Sequence, residues 1–175
     1  KTWQVAELPI HVGGNADGRG SGERLVVDPR NPDTLYYGSN EDGLWKSVDG
    51  GRSFARTGAG LRAFSLVAAD PADASSLWAG TADGQGGLML SQDGGQSFKP
   101  VAGPPAMVPQ RLAFAPDGSL YVAFSKGDGK GTINPNNAQK GAVWKRDAKS
   151  GEWRDVTPKG PGSNIQQGIF PYRSC

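Results

Sequence analysis

The 175-residue chain is long enough to bury one ordinary core, and it carries 19 basic against 17 acidic residues, one His and one Cys. A formal charge of +2 on scattered basic residues gives no footprint for nucleic acid or an anionic membrane, and no window approaches the ~18 apolar residues of a spanning helix. One His and a final Cys175 exclude an internal disulfide, a Cys/His zinc site and a Cys–His relay, so neither metal nor cofactor is expected.

In chain order, KTWQVAELPI has no apolar targeting core, and residues 1–23 read as the end of one unit followed by a glycine-rich loop. Within 13–22, six glycines surround Asn15, Asp17 and Arg19. Two readings stand side by side. A loop so poor in side chains lets a ligand approach the backbone, with Asn, Asp and Arg bonding sugar hydroxyls. Alternatively it is a compact turn, with Arg19 or Arg24 paired to Glu23 or Asp28. His11 has no partner constellation, so packing or exposure is its default.

From residue 24 a repeat governs the chain. Asp28-Pro29 returns as Asp70-Pro71, and Leu35-Tyr36-Tyr37-Gly38 returns as Leu77-Trp78-Ala79-Gly80 at the same offset. Three units follow, over 24–58, 64–102 and 110–158, closed by Phe54, Phe98 and Trp153, before an irregular tail at 159–175. Short runs such as Leu25-Val26-Val27, Thr34–Gly38 and Gly43–Ser47, bounded by Pro, Asn, Asp and Gly, predict strands, and no helical spacing occurs. Four strands in roughly 45 residues predict an all-β fold of propeller blades. Trp45, Trp78 and Trp144 fall inside strand patterns, which predicts packing between blades ahead of sugar stacking. The longest irregular segment, 125–141, is a second place for function.

The stretch SVDGGRSF at 47–54 returns as SQDGGQSF at 91–98. A nucleophilic serine needs a base, and no His is near; a phosphate loop normally opens a helix; a calcium loop needs more carboxylates. The remaining reading is a turn between third and fourth strands. Ser47, Asp49, Gly51 and Phe54, and likewise Ser91, Asp93, Gly95 and Phe98, then bond the turn's own amides, supply positive φ and anchor the next strand.

That motif resembles the Asp-box of sialidases, sortilin-type ectodomains and other propellers. The stretch GGNADGRGSGERLVVDP at 13–29, with LYYGSNEDGLWKSVDGG and GAVWKRDAKSGEWRDVTP, resembles glycoside hydrolase family 74. The resemblance implies about three blades from the first of two facing seven-bladed propellers, in a secreted, extracellular enzyme that cleaves the β-1,4-glucan backbone of the plant polysaccharide xyloglucan. It implies an inverting mechanism with two Asp residues roughly 6.5–9.5 Å apart, both in parts of the enzyme beyond this stretch, so no catalytic residue is expected here. Its partners would be the missing blades and the second propeller. The alternative is a non-catalytic Asp-box propeller that serves as a binding or assembly scaffold. An open arc of blades leaves edges uncovered, which predicts poor solubility or self-association.

Overall fold

A computed structural model describes residues 2, 3, 5, 7–10, 22–57, 60–82, 86–126 and 140–158. These residues hold twelve strands in three four-stranded antiparallel sheets and no helix. The first blade is β1 (Leu25–Asp28), β2 (Asn31–Gly38), β3 (Leu44–Ser47) and β4 (Ala55–Thr57). The second is β5 (Phe64–Ala69), β6 (Leu77–Thr81), β7 (Gly87–Ser91) and β8 (Lys99–Pro100). The third is β9 (Val108–Phe114), β10 (Leu120–Lys126), β11 (Lys140–Arg146) and β12 (Trp153–Asp155). Each sheet runs in chain order, so every connection within a blade is a hairpin. The chain is an arc of β-propeller blades.

Turn chemistry sets the strand ends. Asp28 accepts the Arg30 amide at 2.9 Å, Asp70 the Ala72 amide at 2.8 Å, and Asp117 the Ser119 amide at 2.8 Å. One Asp side chain therefore reverses the chain after the first strand of every blade. The first strands, β1, β5 and β9, approach one another across the blades, and β2 also packs on β5. The Glu23 carbonyl accepts from Val67 N–H at 2.8 Å, and Ser65 Oγ donates to the Pro109 carbonyl at 2.6 Å.

Period-two alternation then distributes the apolar side chains to both faces of the middle sheet. Val67, Leu77 and Ala79 meet Tyr36 and Leu44 of the first blade, with Phe64 against Phe98 edge-on at 5.9 Å. Trp78 and Leu88 project the other way, onto Leu120, Val122 and Phe124, and the Trp78 and Trp153 rings meet edge-on at 6.3 Å. Burying a Leu or Phe side chain stabilises by about 1.5–3 kcal/mol, so these two cores are what hold the arc. Trp144 is half-buried against the second core, as the strand pattern predicts. Trp45 faces neither of the two described cores. It sits beside Tyr37 and Arg56 on the face of the first sheet turned away from the second, and its indole Nε1 is buried with no acceptor.

Candidate functional site

The two S-x-D-G-G-x-S-F stretches join β3 to β4 and β7 to β8. In the first, Ser47 Oγ donates to Asp49 Oδ1 at 2.7 Å and accepts the amides of Gly51 at 2.9 Å and Asp49 at 3.3 Å. Asp49 Oδ1 also accepts the Ser53 amide at 2.9 Å, and Oδ2 accepts the Ser53 hydroxyl at 2.6 Å. The second repeats this bond for bond. Ser91 Oγ donates to Asp93 Oδ1 at 2.7 Å and accepts from Gly95 at 2.9 Å; Asp93 holds the Ser97 amide at 2.9 Å and its hydroxyl at 2.5 Å. Gly50, Gly51, Gly94 and Gly95 all have φ between 67° and 85°, where a Cβ is strained. Ser53 and Ser97 were not among the residues singled out from the sequence, although their recurrence in the octapeptide was the signal.

The electrostatics follow from these bonds. The Ser53 hydroxyl, then its amide, then the Ser47 hydroxyl hold the Asp49 carboxyl well below the usual carboxylate range. The Ser97 hydroxyl, its amide and the Ser91 hydroxyl do the same for Asp93. Donors aimed at a carboxylate favour its charged form. A general acid needs the opposite, a carboxyl kept protonated near neutral pH. Each carboxylate is held ionised and engaged within its own hairpin.

The described ends of the segments singled out for ligand contact lie at a different edge of the blades. Gly50 N–H bonds the Asp33 carbonyl, and Gly94 N–H bonds the Ser75 carbonyl, so each Ser-Asp hairpin lies beside the turn between its blade's first two strands. Gly22 before β1, and the Lys126 and Lys140 ends of β10 and β11, lie at the other end of the ladders. Asn15, Asp17, Arg19 and His11 lie outside the described residues, as do 127–139. Gly22 itself is buried, and a Cβ there would stand 2.5 Å from the Gln110 carbonyl oxygen and 2.8 Å from Leu66 Cβ. Gly22 therefore stands where β5 and β9 crowd the backbone, and only glycine fits there. Nearby, Ser39 Oγ accepts the amides of Glu41 and Asp42, and Gln110 Nε2 donates to Ser125 Oγ at 2.8 Å. Arg24 buries its Nη1 without a partner, so that end of the guanidinium is not held by Glu23 or Asp28. Among the described residues no cluster of His, Cys, Asp and Glu is arranged for a metal.

No protein-family model matches the chain. Curated proteins and solved structures do. A xyloglucanase of Hypocrea jecorina is 32% identical over 198 residues, covering 96% of this chain and 23% of that protein. The crystal structure of the family 74 xyloglucanase of Xanthomonas campestris superposes with a TM-score of 0.75 at 32% identity, over 90% of this chain and 25% of that one. The chain belongs to glycoside hydrolase family 74. The Niastella koreensis family 74 enzyme agrees, with a TM-score of 0.73 and 30% identity over 84% of this chain and 23% of that one. The chain spans about a quarter of the length of each of these relatives, and a putative gluconolactonase at 18% identity and TM-score 0.55 shares the fold alone.

Proposed function

We propose that the chain forms part of the glycan-binding propeller wall of an extracellular xyloglucan-cleaving hydrolase and does not cleave glycan by itself. The match to xyloglucanases along nine-tenths of the chain carries the reading. The state of Asp49 and Asp93 supports its second half: each is engaged within its own turn, in separate blades, and neither is kept protonated as an acid. In this reading the inverting pair of Asp residues comes from the remainder of a longer enzyme, with a water between base and sugar. Asn15, Asp17 and Arg19, in the segment that leads into Gly22, contact sugar hydroxyls; Ser47, Asp49, Gly51, Phe54 and their counterparts Ser91, Asp93, Gly95 and Phe98 fasten the blades.

The test has two arms. Purified 175-residue chain incubated with xyloglucan releases no reducing sugar above buffer; release overturns the inactive reading. In affinity electrophoresis through xyloglucan the chain is retarded, and the Asn15→Ala/Arg19→Ala variant migrates faster than the parent chain does. Equal mobility of the two would remove those residues from the binding surface.

A further inference from the structure

The two Ser-Asp hairpins place a chemically labile dipeptide at their tips. Gly50 and Gly94 follow Asp49 and Asp93 with φ of 71° and 67°, where a Cβ is strained, so the turn calls for glycine there. Glycine after Asp is also the residue that least hinders attack by its own amide on the preceding carboxyl. In that reaction the glycine nitrogen bonds to the carboxyl carbon, the amide proton goes to solvent and the carboxyl hydroxyl leaves as water, closing a cyclic imide. Water then opens the ring at either carbonyl. Opening at the side-chain carbonyl restores Asp. Opening at the main-chain carbonyl gives isoaspartate, whose backbone runs through the side-chain carbons. No oxidant, reductant or cofactor enters, and the product has the mass of the starting chain.

In the folded hairpins both partners of that attack are already engaged. The Gly50 N–H donates to the Asp33 carbonyl and the Gly94 N–H to the Ser75 carbonyl, each at 2.9 Å and each in the turn between the first two strands of its blade. The carboxyls are tied separately. Asp49 Oδ1 accepts the Ser47 hydroxyl at 2.7 Å and the Ser53 amide at 2.9 Å, and Oδ2 accepts the Ser53 hydroxyl at 2.6 Å. Asp93 Oδ1 accepts the Ser91 hydroxyl and the amides of Gln96 and Ser97, and Oδ2 accepts the Ser97 hydroxyl. These donors favour the carboxylate, from which no hydroxyl leaves as water, and hold both groups well below the ordinary range. Carrying the carboxyl onto the glycine nitrogen therefore breaks three hydrogen bonds at Asp49 and four at Asp93, besides the one made by the glycine.

Two further Asp-Gly pairs lie among the described residues, Asp42-Gly43 and Asp117-Gly118, again with glycine at positive φ. Gly43 N–H donates to the Arg62 carbonyl at 3.1 Å and Gly118 N–H to the Ala115 carbonyl at 2.9 Å. Asp117 accepts the Ser119 amide at 2.8 Å and its hydroxyl at 3.1 Å, a turn independent of Ser53 and Ser97. Asp17, Asp83 and Asp128, each before glycine, lie outside the described residues.

We infer that Asp49-Gly50 and Asp93-Gly94 are latent isomerisation sites, locked in the closed hairpin by the bonds to carboxylate and glycine amide and released when the hairpin opens. The groups that fasten the blade thus also protect its covalent backbone. After rearrangement the chain has an extra backbone carbon between the two residues and its carboxylate sits directly on Cα. The bonds to Ser53 or Ser97 then cannot re-form in the same geometry.

The 175-residue chain, held at neutral pH in water enriched in oxygen-18, tests this in buffer and in urea above the unfolding midpoint. Each imide turnover leaves one heavy oxygen at its Asp, which peptide mass spectrometry with electron-transfer fragmentation reads site by site. Asp49 and Asp93 take up label at least about tenfold more slowly in buffer than in urea, because reaction waits on opening of the hairpin. Ser53→Ala/Ser97→Ala, with the parent's far-UV circular dichroism, raises both rates in buffer roughly tenfold, the weight of a charge-assisted hydrogen bond, while Asp117 keeps the parent rate. Equal rates for the parent chain in buffer and urea overturn the inference. So does a variant that leaves Asp49 and Asp93 at the parent rate, or one that speeds Asp117 as much, since overall stability and not the lock then sets the rate.

Discussion

Three hairpins close the three blades, and they are built in two ways. At 47–54 and 91–98 a buried Ser hydroxyl and an Asp carboxylate gather the turn from inside, and hydroxyls at Ser53 and Ser97 complete the bonding. At 147–152 no such serine precedes the Asp. Asp147 Oδ1 accepts the amides of Lys149 and Ser150 at 3.0 Å each, and the Gly151 amide returns to the Asp147 carbonyl. The first kind is a rigid clasp with two consecutive glycines at positive φ. The second is an ordinary Asp turn with only Gly151 there. The difference shows on the facing blade: the clasp at Gly94–Gly95 lies on Tyr36 and Lys46, whereas the third blade presents Trp153 and Arg146 to Trp78. A clasp is both a fastener within its blade and a shaped contact for its neighbour.

The largest effect should come from filling the clasp where it meets another blade. Gly95 has φ of 85°, and its Cβ would press on Leu44 and Leu77 at 3.0 and 3.2 Å. Gly95→Val adds left-handed strain to overpacking and should cost about 2–5 kcal/mol in urea unfolding. Gly51→Val, with its nearest neighbour at 3.7 Å, should cost only the strain, about 1–2 kcal/mol. Equal losses at the two sites would erase the distinction between docked and undocked turns.

Next come the buried hydroxyls. Ser47 and Ser91 are 1% exposed, and each accepts two amides that Ala cannot serve. Ser91→Ala and Ser47→Ala should each lower stability by roughly 1–3 kcal/mol. The exposed Ser150 of the third hairpin should lose no more than about 0.5 kcal/mol on the same change. Thermal unfolding of the three variants side by side gives the comparison.

Acid sharpens it further. A carboxyl whose folded pKa is depressed adds stability above its unfolded pKa and gives it up as pH falls through the folded value. Asp73, held down to about 2 by the Ser76 and Ser75 hydroxyls, has an ordinary value of 3.8. Its contribution is complete above about pH 4 and is lost towards pH 2. Asp49 and Asp93 share the sign, and theirs persists to lower pH. Asp147, lowered mainly by the Ser150 and Lys149 amides, shares it too. The Ser53→Ala/Ser97→Ala variant should begin acid unfolding at higher pH than the parent, while Ser150→Ala should leave that onset in place.

Most of the fold was legible because propeller blades are local. Strand period, turn residues and repeat spacing sit within about 45 residues, and each hairpin needs nothing distant. Asp28, Asp70 and the paired glycines announced their turns in this way. Trp45 shows where such reading stops. A strand residue is assigned to one of two faces, but which face a neighbouring blade covers is a matter of the arc and not of the strand. The Tyr36–Lys46 pair was invisible for a related reason: the two are ten residues apart and become neighbours only through register. The glycine-rich segment spoke of close approach, and Gly22 shows the cause at its one described position, a Gln110 carbonyl with no room for a side chain.

Whether the repeated carboxylates are fasteners or reactive groups is decided most directly by carbon-detected NMR titration of Asp49 and Asp93. The structure predicts that both titrate below 3.8, independently, and that Ser53→Ala raises Asp49 while leaving Asp93 unmoved. A value above 3.8 for either, or one carboxyl whose titration shifts when the other is replaced by Asn, would contradict it.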